Sequence, residues 1–170
     1  CDVVDMEPKG LYSWTIELDA TFYYAPGTQG WTTPEWNGYK AQPLPYSDVD
    51  LGRWYGLDVM WMHRMGYMEG VGGGRFAPQA TVTRAQLVTL LSRVRPDLLT
   101  ENYSDDPVYS DVPADAWYAK AVCWANSAQV VRGYPDGTFR PNEPVTREQL
   151  AVMLMRCEKP EQAAPEDALD

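Results

Sequence analysis

The chain has 170 residues, of which 45% are hydrophobic, so it can bury one core or two small lobes that pack on each other. Its 24 acidic residues against 14 Lys and Arg give a net charge of −10, which works against diffuse attraction to nucleic acid or to anionic lipid. The sequence contains no run of about 18 apolar residues, and no membrane span is therefore expected.

Residues 1–44 form an aromatic-rich N-terminal segment. The even positions from Tyr12 to Tyr24 are apolar and the positions between them are mostly polar, which predicts a half-buried β-strand with a bend or hairpin near Asp19. Residues 25–45 are rich in proline and glycine, which predicts a loop. The aromatic anchors expected in this loop are Trp31, Trp36 and Tyr39.

An internal repeat dominates the rest of the chain. Positions 46–93 align with positions 109–156 at an offset of 63 residues without a gap, and 19 of the 48 pairs are identical. A repeat of this length is one supersecondary unit, which needs neighbours to cover its apolar face. The expected order is a first repeat, a linker, a second repeat and a disordered acidic tail, at residues 45–96, 97–107, 108–158 and 159–170.

Each repeat is predicted to form a helix, a loop and a second helix. In the second copy, apolar residues recur at intervals of three and four, which is typical of an amphipathic helix. They are Trp117, Ala121, Trp124, Ala125 and Ala128. We assign Trp124 and its first-copy equivalent, Trp61, to the core. Gly133 ends this helix, and the Pro-Asp-Gly sequence that follows Tyr134 predicts a tight turn.

The second helix of each repeat has a recognisable start. Thr83 and Thr146 each precede a glutamine by three residues, as in a capping box, where the two side chains satisfy free backbone N–H groups. The helix is therefore expected to begin at each threonine, and Pro96 and Pro160 limit its extension. The expected buried stripe is Leu87, Leu90, Leu91 and Val94 in the first copy and Leu150, Met153, Leu154 and Cys157 in the second.

The repeated residues match a known family. The pattern of aromatic-x-Asp-Val, Trp-Tyr, Gly-x-x-x-Gly-x-Phe-x-Pro and Val-Thr-Arg-(Ala/Glu)-Gln resembles the S-layer homology (SLH) motif of bacterial surface proteins. The second copy fits throughout, whereas the first has Gly72-Gly73-Gly74 in place of Pro-Asp-Gly and Asp58 in place of Ala121. The aspartates of the first element, Asp48 and Asp111, are expected to brace a turn rather than contact a ligand.

The resemblance implies a mainly α fold, in which two helix-loop-helix SLH repeats pack together beside the β-containing N-terminal segment. It also implies a non-catalytic module of the bacterial cell wall or cell surface, which binds secondary cell-wall polysaccharide bearing pyruvylated sugars in grooves between motifs. No cofactor and no metal is implied. The glycan-binding residues that it implies are Arg84, Arg147, Trp54, Trp117, Gly74 and Gly137.

The chemistry of these residues leaves alternatives open. Arg84 and Arg147 are expected in the first turn of a helix, where free N–H groups and the helix dipole favour an anion and a guanidinium adds a bidentate clamp for a carboxylate. Alternatively, each arginine pairs with an acidic neighbour. Trp54 and Trp117 are either platforms that stack on a sugar ring or core residues.

The sequence carries no catalytic or metal-binding signature. His63 is its one histidine, and we expect it on the exposed side of a helix. The cysteines lack metal-binding spacing. Cys123 and Cys157 are expected to be buried thiols, with a disulfide between them as the alternative. Cys1 is either lipid-modified or the first residue of a trimmed chain.

Three functions are compatible with the sequence: a polysaccharide anchor, a structural or protein-interaction module that kept the fold but lost the glycan site, and a fragment of a surface-anchored carbohydrate-active enzyme. SLH modules typically combine three motifs in a threefold prism, and only two are visible here. The absent third motif leaves an apolar flank that must be covered. We expect the segment from Tyr12 to Tyr39 to cover it, and a homodimer that pairs the exposed flanks is the alternative.

Overall fold

The computed structural model describes residues 21–24, 28–98, 103–104 and 106–158. The helices in this part of the chain are α1 (Gly56–Arg64), α2 (Arg84–Val94), α3 (Ala119–Ser127) and α4 (Arg147–Glu158), and the strands are β1 (Thr21–Tyr24), β2 (Glu35–Trp36) and β3 (Tyr39–Pro43). The protein is therefore mostly helical, with a small sheet in the N-terminal segment. None of the described helices is long and apolar enough to cross a membrane.

The described residues fall into two compact units. The first comprises residues 21–60 and 69–78, and the second comprises residues 61–68 and 79–158. Some sequence predictions concern residues outside this description: the strand before Thr21 with its bend near Asp19, the modification of Cys1, part of the linker, Pro160 and the acidic tail.

β3 is the central strand of the sheet. β1 lies parallel to it on one side, and β2 lies antiparallel to it on the other, with Trp36 opposite Tyr39. Asn37 and Gly38 join β2 to β3, and their φ angles of 49° and 82° fit a two-residue hairpin turn. The loop predicted at residues 25–45 is therefore wrong over β2 and β3, because an Asn-Gly pair directs a hairpin where proline and glycine content suggests a loop.

Aromatic rings hold the sheet and its loop together. Trp31 stacks on Tyr24, with ring centroids 5.2 Å apart and planes 10° apart, and also packs on Trp36 at 4.3 Å. Phe22 meets Trp36 and Tyr39 edge to face at 6.0 and 5.5 Å. The three predicted anchors therefore do pack together, and such a cluster is needed because strands this short bury little area by themselves.

The main core lies in the second unit, where α2 packs on α3. Phe139, Val88 and Val122 are fully buried in it. The apolar stripe predicted for the first helix of the second copy is confirmed by the buried side chains of Ala121, Trp124, Ala125 and Ala128. Trp117 is the exception, since it precedes α3 and is exposed.

Both predicted capping boxes are present. The Thr83 hydroxyl accepts from the N–H of Gln86 at 3.3 Å, and the Gln86 side chain accepts from the N–H of Thr83 at 3.0 Å. Thr146 and Gln149 make the same two hydrogen bonds, each at 3.3 Å. The helices α2 and α4 start directly after these threonines because the boxes satisfy N–H groups that the first turn leaves free.

A glycine at the same position of both copies makes room for a buried tyrosine. A Cβ atom on Gly133 would overlap the ring of Tyr109, and a Cβ atom on Gly70 would lie 2.7 Å from the ring of Tyr46. Glycine is required at both positions for this close approach. The repeat identities at these four residues therefore record packing rather than ligand binding.

The two copies differ in which helical residues they bury. Trp61 was assigned to the core with Trp124, but it is 55% exposed on α1, whereas Trp124 is 4% exposed on α3. The predicted buried stripes are also wrong at three positions, Val94, Leu150 and Leu154, which are exposed. The physical reason is that α2 and α3 bury each other, whereas the outer sides of α1 and α4 have no such helix against them among the described residues.

These outer side chains bear on the predicted role of the N-terminal segment. Trp61, Leu150 and Leu154 stay exposed. Aromatic rings in the described part of the segment from Tyr12 to Tyr39 pack on one another, and its covering role remains a prediction.

Candidate functional site

The start of α2 is joined to the loop that precedes α4. The N–H of Arg84 donates to the Glu143 carbonyl oxygen at 2.9 Å, and the N–H of Ala85 donates to the Pro141 carbonyl oxygen at 3.0 Å. The sequence predicted that free N–H groups in this first turn bind an anion. In α2 these two N–H groups instead donate to carbonyl oxygens of the protein.

The Arg84 side chain is likewise committed to this loop. It is only 4% exposed, and its Nε donates to the Phe139 carbonyl oxygen at 2.8 Å. Its guanidinium also lies over the rings of Phe139 and Tyr134, at 4.7 and 5.2 Å from their centroids. Burial lowers the pKa of Arg84, and electrostatic interactions, among them the one with the carboxylate of Glu143, oppose this shift. The side chain therefore fixes the loop of the second copy against α2.

Arg140 extends the same cluster toward solvent. Its guanidinium lies 3.8 Å from the centroid of the Tyr134 ring and forms ion pairs with Asp136 at 3.0 Å and Glu143 at 3.7 Å. Hydrogen bonds from the side chains of Thr138 and then of Arg140 lower the pKa of Asp136. The hydrogen bond to Asp136 raises the pKa of Arg140. Tyr134 thus contacts two guanidinium groups.

An open groove of about 480 Å³ runs beside Arg140. Its walls combine an aromatic ring, an arginine, two carboxylates and several prolines, which is a surface suited to a polar ligand with apolar faces. The lining residues are Asp111, Pro113, Tyr118, Arg140, Pro141, Asn142, Glu143 and Pro144.

The repeated aspartates brace the loops, as predicted. The carboxylate of Asp48 accepts from the N–H groups of Phe76 and Ala77, each at 2.8 Å. Asp111 accepts from the N–H groups of Phe139 and Arg140, each at 2.7 Å. These bonds, above all that from Phe76, lower the pKa of Asp48. Both carboxylates are therefore structural acceptors, although Asp111 also lines the groove.

Arg147 has different surroundings from Arg84. It is the first residue of α4 and is exposed, and it makes no hydrogen bond or ion pair with the residues that the structure describes. Of the two arginines predicted to bind glycan, Arg147 is the one that presents its guanidinium to solvent.

Both predicted tryptophans lie at the surface. Trp54 is 89% exposed and Trp117 is 67% exposed, which excludes the core alternative for both. Each meets the next tyrosine edge to face, Tyr55 at 5.5 Å and Tyr118 at 5.2 Å. Tyr118 lines the groove beside Arg140, and the indole of Trp117 contacts the groove lining through the ring of Tyr118.

The two predicted glycines occupy open turns. Gly74 and Gly137 have φ angles of 67° and 77°, a region that favours glycine. No atom would lie within 4 Å of a Cβ on Gly137, and the Pro45 carbonyl oxygen would lie 3.7 Å from one on Gly74. The Gly74 carbonyl accepts from the N–H of Ser47 and the Gly137 carbonyl accepts from the N–H of Ser110, so each loop is bonded to the start of its own repeat.

The predictions for the two described cysteines and for the histidine have different outcomes. Cys123 and Cys157 are buried free thiols, as expected, and burial raises the pKa of Cys157. His63 is half-buried in α1, not exposed as predicted. No group of three or more His, Cys, Asp or Glu within the described ranges is placed to hold a metal ion.

Sequence reasoning missed Tyr134 and Arg140. They align with Val71 and Ala77 of the first copy, so a search for identical residues passes over them. The available signal was the Asp136 and Arg140 pair, four residues apart around the turn, next to an aromatic residue.

These features are those of a bacterial surface-binding module built from a repeated motif, and comparison with known proteins identifies the family. The model of the S-layer homology domain matches residues 45–88 and 108–151, about half of the chain. The chain belongs to the S-layer homology domain family. SLH domains are cell-surface anchoring modules that bind cell-wall polymers, so the matched region is non-catalytic and its location is the cell wall or cell surface.

Similar proteins include cell-wall proteins and enzymes. The middle cell wall protein of Brevibacillus brevis is 30% identical over 116 residues, which is 66% of this chain and 10% of that protein. The surface layer protein of Brevibacillus choshinensis is 31% identical over 100 residues, 58% of this chain and 9% of that protein. An endoglucanase of Bacillus sp. (strain KSM-635) is 33% identical over 121 residues, 71% of this chain and 12% of the enzyme. The chain thus spans about a tenth of these relatives, and the enzyme aligns through its SLH region.

Proposed function

We propose that this chain anchors its parent protein non-covalently to secondary cell-wall polysaccharide, and that it recognises pyruvylated sugars of that polymer. The observation that carries the proposal is the groove beside Arg140, because its lining includes Tyr118, and the largely exposed indole of Trp117 contacts Tyr118. An indole packs on the C–H face of a sugar ring, and a guanidinium pairs with the carboxylate of a pyruvyl group.

The glycan-binding residues divide into two groups. Arg147, Trp54 and Trp117 contact the glycan directly, because their side chains are exposed. Gly74 and Gly137 keep the turns open, since no side chain fills the space beside them. Arg84 acts mainly by fixing the groove loop through Phe139 and Tyr134 (its ring and carbonyl partners).

Binding to purified cell-wall sacculi tests this function. We expect the chain to sediment with native sacculi and to lose this binding after chemical removal of pyruvyl groups. Arg147→Ala should weaken the affinity by roughly one to two decades, because a charge-assisted contact contributes about 1.5 to 3 kcal/mol. Trp117→Ala should also weaken it.

Arg64→Ala is the matched control, since it removes one positive charge from the exposed end of α1 and should bind as the unmodified chain does. Equal binding to sacculi with and without pyruvyl groups would contradict the recognition of pyruvyl. Absence of binding to native sacculi would favour a structural or protein-interaction module that kept the SLH fold. The enzymes among the relatives support a further reading, in which the parent protein is a surface-anchored carbohydrate-active enzyme.

The repeat also supports a homodimer. If each repeat is one helix-loop-helix unit, the contact between α2 and α3 joins the first repeat to the second. The outer side of α4, with Leu150 and Leu154, is the sequence equivalent of the α2 side that carries the buried Leu87 and Leu91. Trp61 on α1 is the equivalent of buried Trp124. In a dimer, the side of α1 that carries Trp61 in one chain therefore packs on α4 of the other chain, as α3 packs on α2 within a chain. Two-fold symmetry forms this helix pair twice.

A further inference from the structure

Arg140 has one close and one distant acidic partner. Its Nη2 atom lies 3.0 Å from Asp136, whose carboxylate also accepts hydrogen bonds from the N–H and the hydroxyl of Thr138. Its Nη1 atom lies 3.7 Å from Glu143, which is beyond hydrogen-bond distance, and this atom donates no hydrogen bond within the described part of the chain. The guanidinium is therefore fixed on its Asp136 side and open to exchange on its Glu143 side.

Glu143 is the partner that can move away. Its side chain is half-exposed, and its carboxylate also accepts a hydrogen bond of 3.3 Å from the Tyr134 hydroxyl. Water weakens an ion pair at such an exposed position. The Tyr134 ring lies 3.8 Å from the Arg140 guanidinium, so the guanidinium keeps a contact that holds it when Glu143 turns away.

The groove beside Arg140 carries an excess of negative charge. At neutral pH its lining residues Asp111 and Glu143 are acidic, against the one positive charge of Arg140. A ligand carboxylate that approaches the Nη1 atom of Arg140 is repelled by Glu143 as long as Glu143 stays there. Such a ligand can pair with Arg140 only by taking the place of Glu143.

The first copy lacks this cluster. Its four equivalent residues are small or apolar and cannot pair with an anion. They are Val71, Gly73, Ala77 and Ala80, at the positions of Tyr134, Asp136, Arg140 and Glu143. Any selectivity that the cluster provides therefore belongs to the second copy alone.

We propose that Arg140 is a specificity-determining residue of the groove and that Glu143 competes with the ligand for it. A carboxylate on the ligand binds the Nη1 side of the Arg140 guanidinium after displacing Glu143. This inference rests on the proposed recognition of pyruvylated sugars. A sugar without a carboxylate leaves Glu143 in place and gains no charged contact, so the groove selects acidic sugars.

Two small probes test the selection without any polysaccharide. They are the pyruvate ketal of methyl glucoside and its methyl ester, of which only the acid is charged. Each is titrated into the full chain, and the NMR signal of the Arg140 Nε–H group is followed. We expect the acid to shift this signal and to bind at least about tenfold more tightly than the ester. Arg140→Gln should remove the difference between the two probes.

Glu143→Gln is the decisive variant, because it removes the charge and keeps the shape and an acceptor for the Tyr134 hydroxyl. It should tighten binding of the acid about threefold and leave binding of the ester unchanged. The gain should vanish when Arg140→Gln is also present, because Glu143 acts through Arg140. Asp115→Asn makes the same charge change on an exposed carboxylate that does not contact Arg140, and it should bind both probes as the unmodified chain does.

The inference is overturned if Arg140→Gln still prefers the acid, or if Glu143→Gln brings no gain. It is also overturned if the gain is equal with and without Arg140, since Glu143 would then only repel anions in general.

Sacculi separate this inference from the anchoring function. If the unmodified chain selects the acid through Arg140 but does not bind sacculi, the anchor is rejected and the role of Arg140 is supported. If pyruvyl-dependent binding to sacculi is the same in Arg140→Gln, the anchor is supported and the role of Arg140 is rejected.

Discussion

Arg84 and Arg147 occupy the same position of the repeat, yet their surroundings differ. Arg84 is almost completely buried, bonded to the Phe139 carbonyl and placed over two rings, whereas Arg147 is exposed. An arginine that follows the same Val-Thr pair thus has a structural role in one copy and is accessible to a ligand in the other. Substituting each of the two arginines therefore compares the structural role with the ligand-binding role within one chain.

Arg84→Ala should lower the free energy of unfolding by about 2 to 3 kcal/mol. The substitution removes a hydrogen bond and two cation–π contacts and leaves the Phe139 carbonyl oxygen buried without this donor. Urea unfolding measures the change. Arg147→Ala is the matched control and should stay within about 0.5 kcal/mol of the unmodified chain, as exposed substitutions do. Equal losses in the two variants would refute the assignment of separate roles.

At the scale of elements, each loop between the two helices of a repeat is held by one aspartate from the start of that repeat. Asp48 accepts two backbone N–H groups from residues 76 and 77, and Asp111 accepts two from residues 139 and 140. Each bond spans 28 or 29 residues, so a single carboxylate closes the whole helix and its loop into one unit. The geometry of the groove beside Arg140 and of the turns depends on these hydrogen bonds.

The Asp48 brace should make stability depend on pH. Its folded-state pKa lies below the ordinary carboxyl value, so its contribution is present above the unfolded pKa of about 3.9 and is lost as the pH falls through the folded value. Melting the chain between pH 7 and pH 2 should therefore show a fall in Tm at the acid end. Asp48→Asn should lower Tm at neutral pH and flatten the acid limb.

Asp58→Asn provides the control for this experiment. Asp58 is exposed on α1 and accepts no hydrogen bond from the described residues, so the acid limb should keep its full slope. If Asp48→Asn left the slope unchanged while Asp58→Asn reduced it, the brace would not be the source of the pH dependence.

At the scale of the whole molecule, the two repeats bury one side each and leave one side each exposed. Leu150 and Leu154 are exposed, whereas the equivalent Leu87 and Leu91 are buried. Apolar side chains gathered on one face in this way commonly mark an interface. The homodimer proposed above buries these leucines in a contact equivalent to the one between α2 and α3 within the chain.

Sedimentation equilibrium should therefore detect a dimer that dissociates on dilution. The double substitution Leu150→Glu and Leu154→Glu should raise the dimer Kd by at least about a hundredfold, because each buried leucine contributes about 1.5 to 3 kcal/mol. Val108→Glu, a similar change at another exposed apolar residue, should leave the Kd unchanged. A monomer at all concentrations would contradict the dimer, and so would equal weakening by both variants.

The sequence by itself determined the features that local chemistry encodes. The capping boxes at Thr83 and Thr146 and the bracing role of Asp48 and Asp111 followed from residue type and spacing, because their partners lie within one repeat. The apolar stripe of α3 followed from its periodicity. The family also followed from the repeated motif. The hairpin at Asn37 was encoded locally as well, but its signal was weaker than the proline and glycine content around it.

Only the tertiary structure decided which copy of a repeated residue is buried. Trp61 and Trp124 carry the same helical signal, and so do Arg84 and Arg147, yet in each pair one side chain is enclosed and the other is exposed. The physical reason is that burial depends on the neighbour. The side of α2 next to α3 and the loop after it are covered, whereas the outer sides of α1 and α4 meet no equivalent surface in the described part of the chain. Periodicity identifies an apolar face, but the packing of one repeat on the next determines whether that face belongs to the core or to an interface.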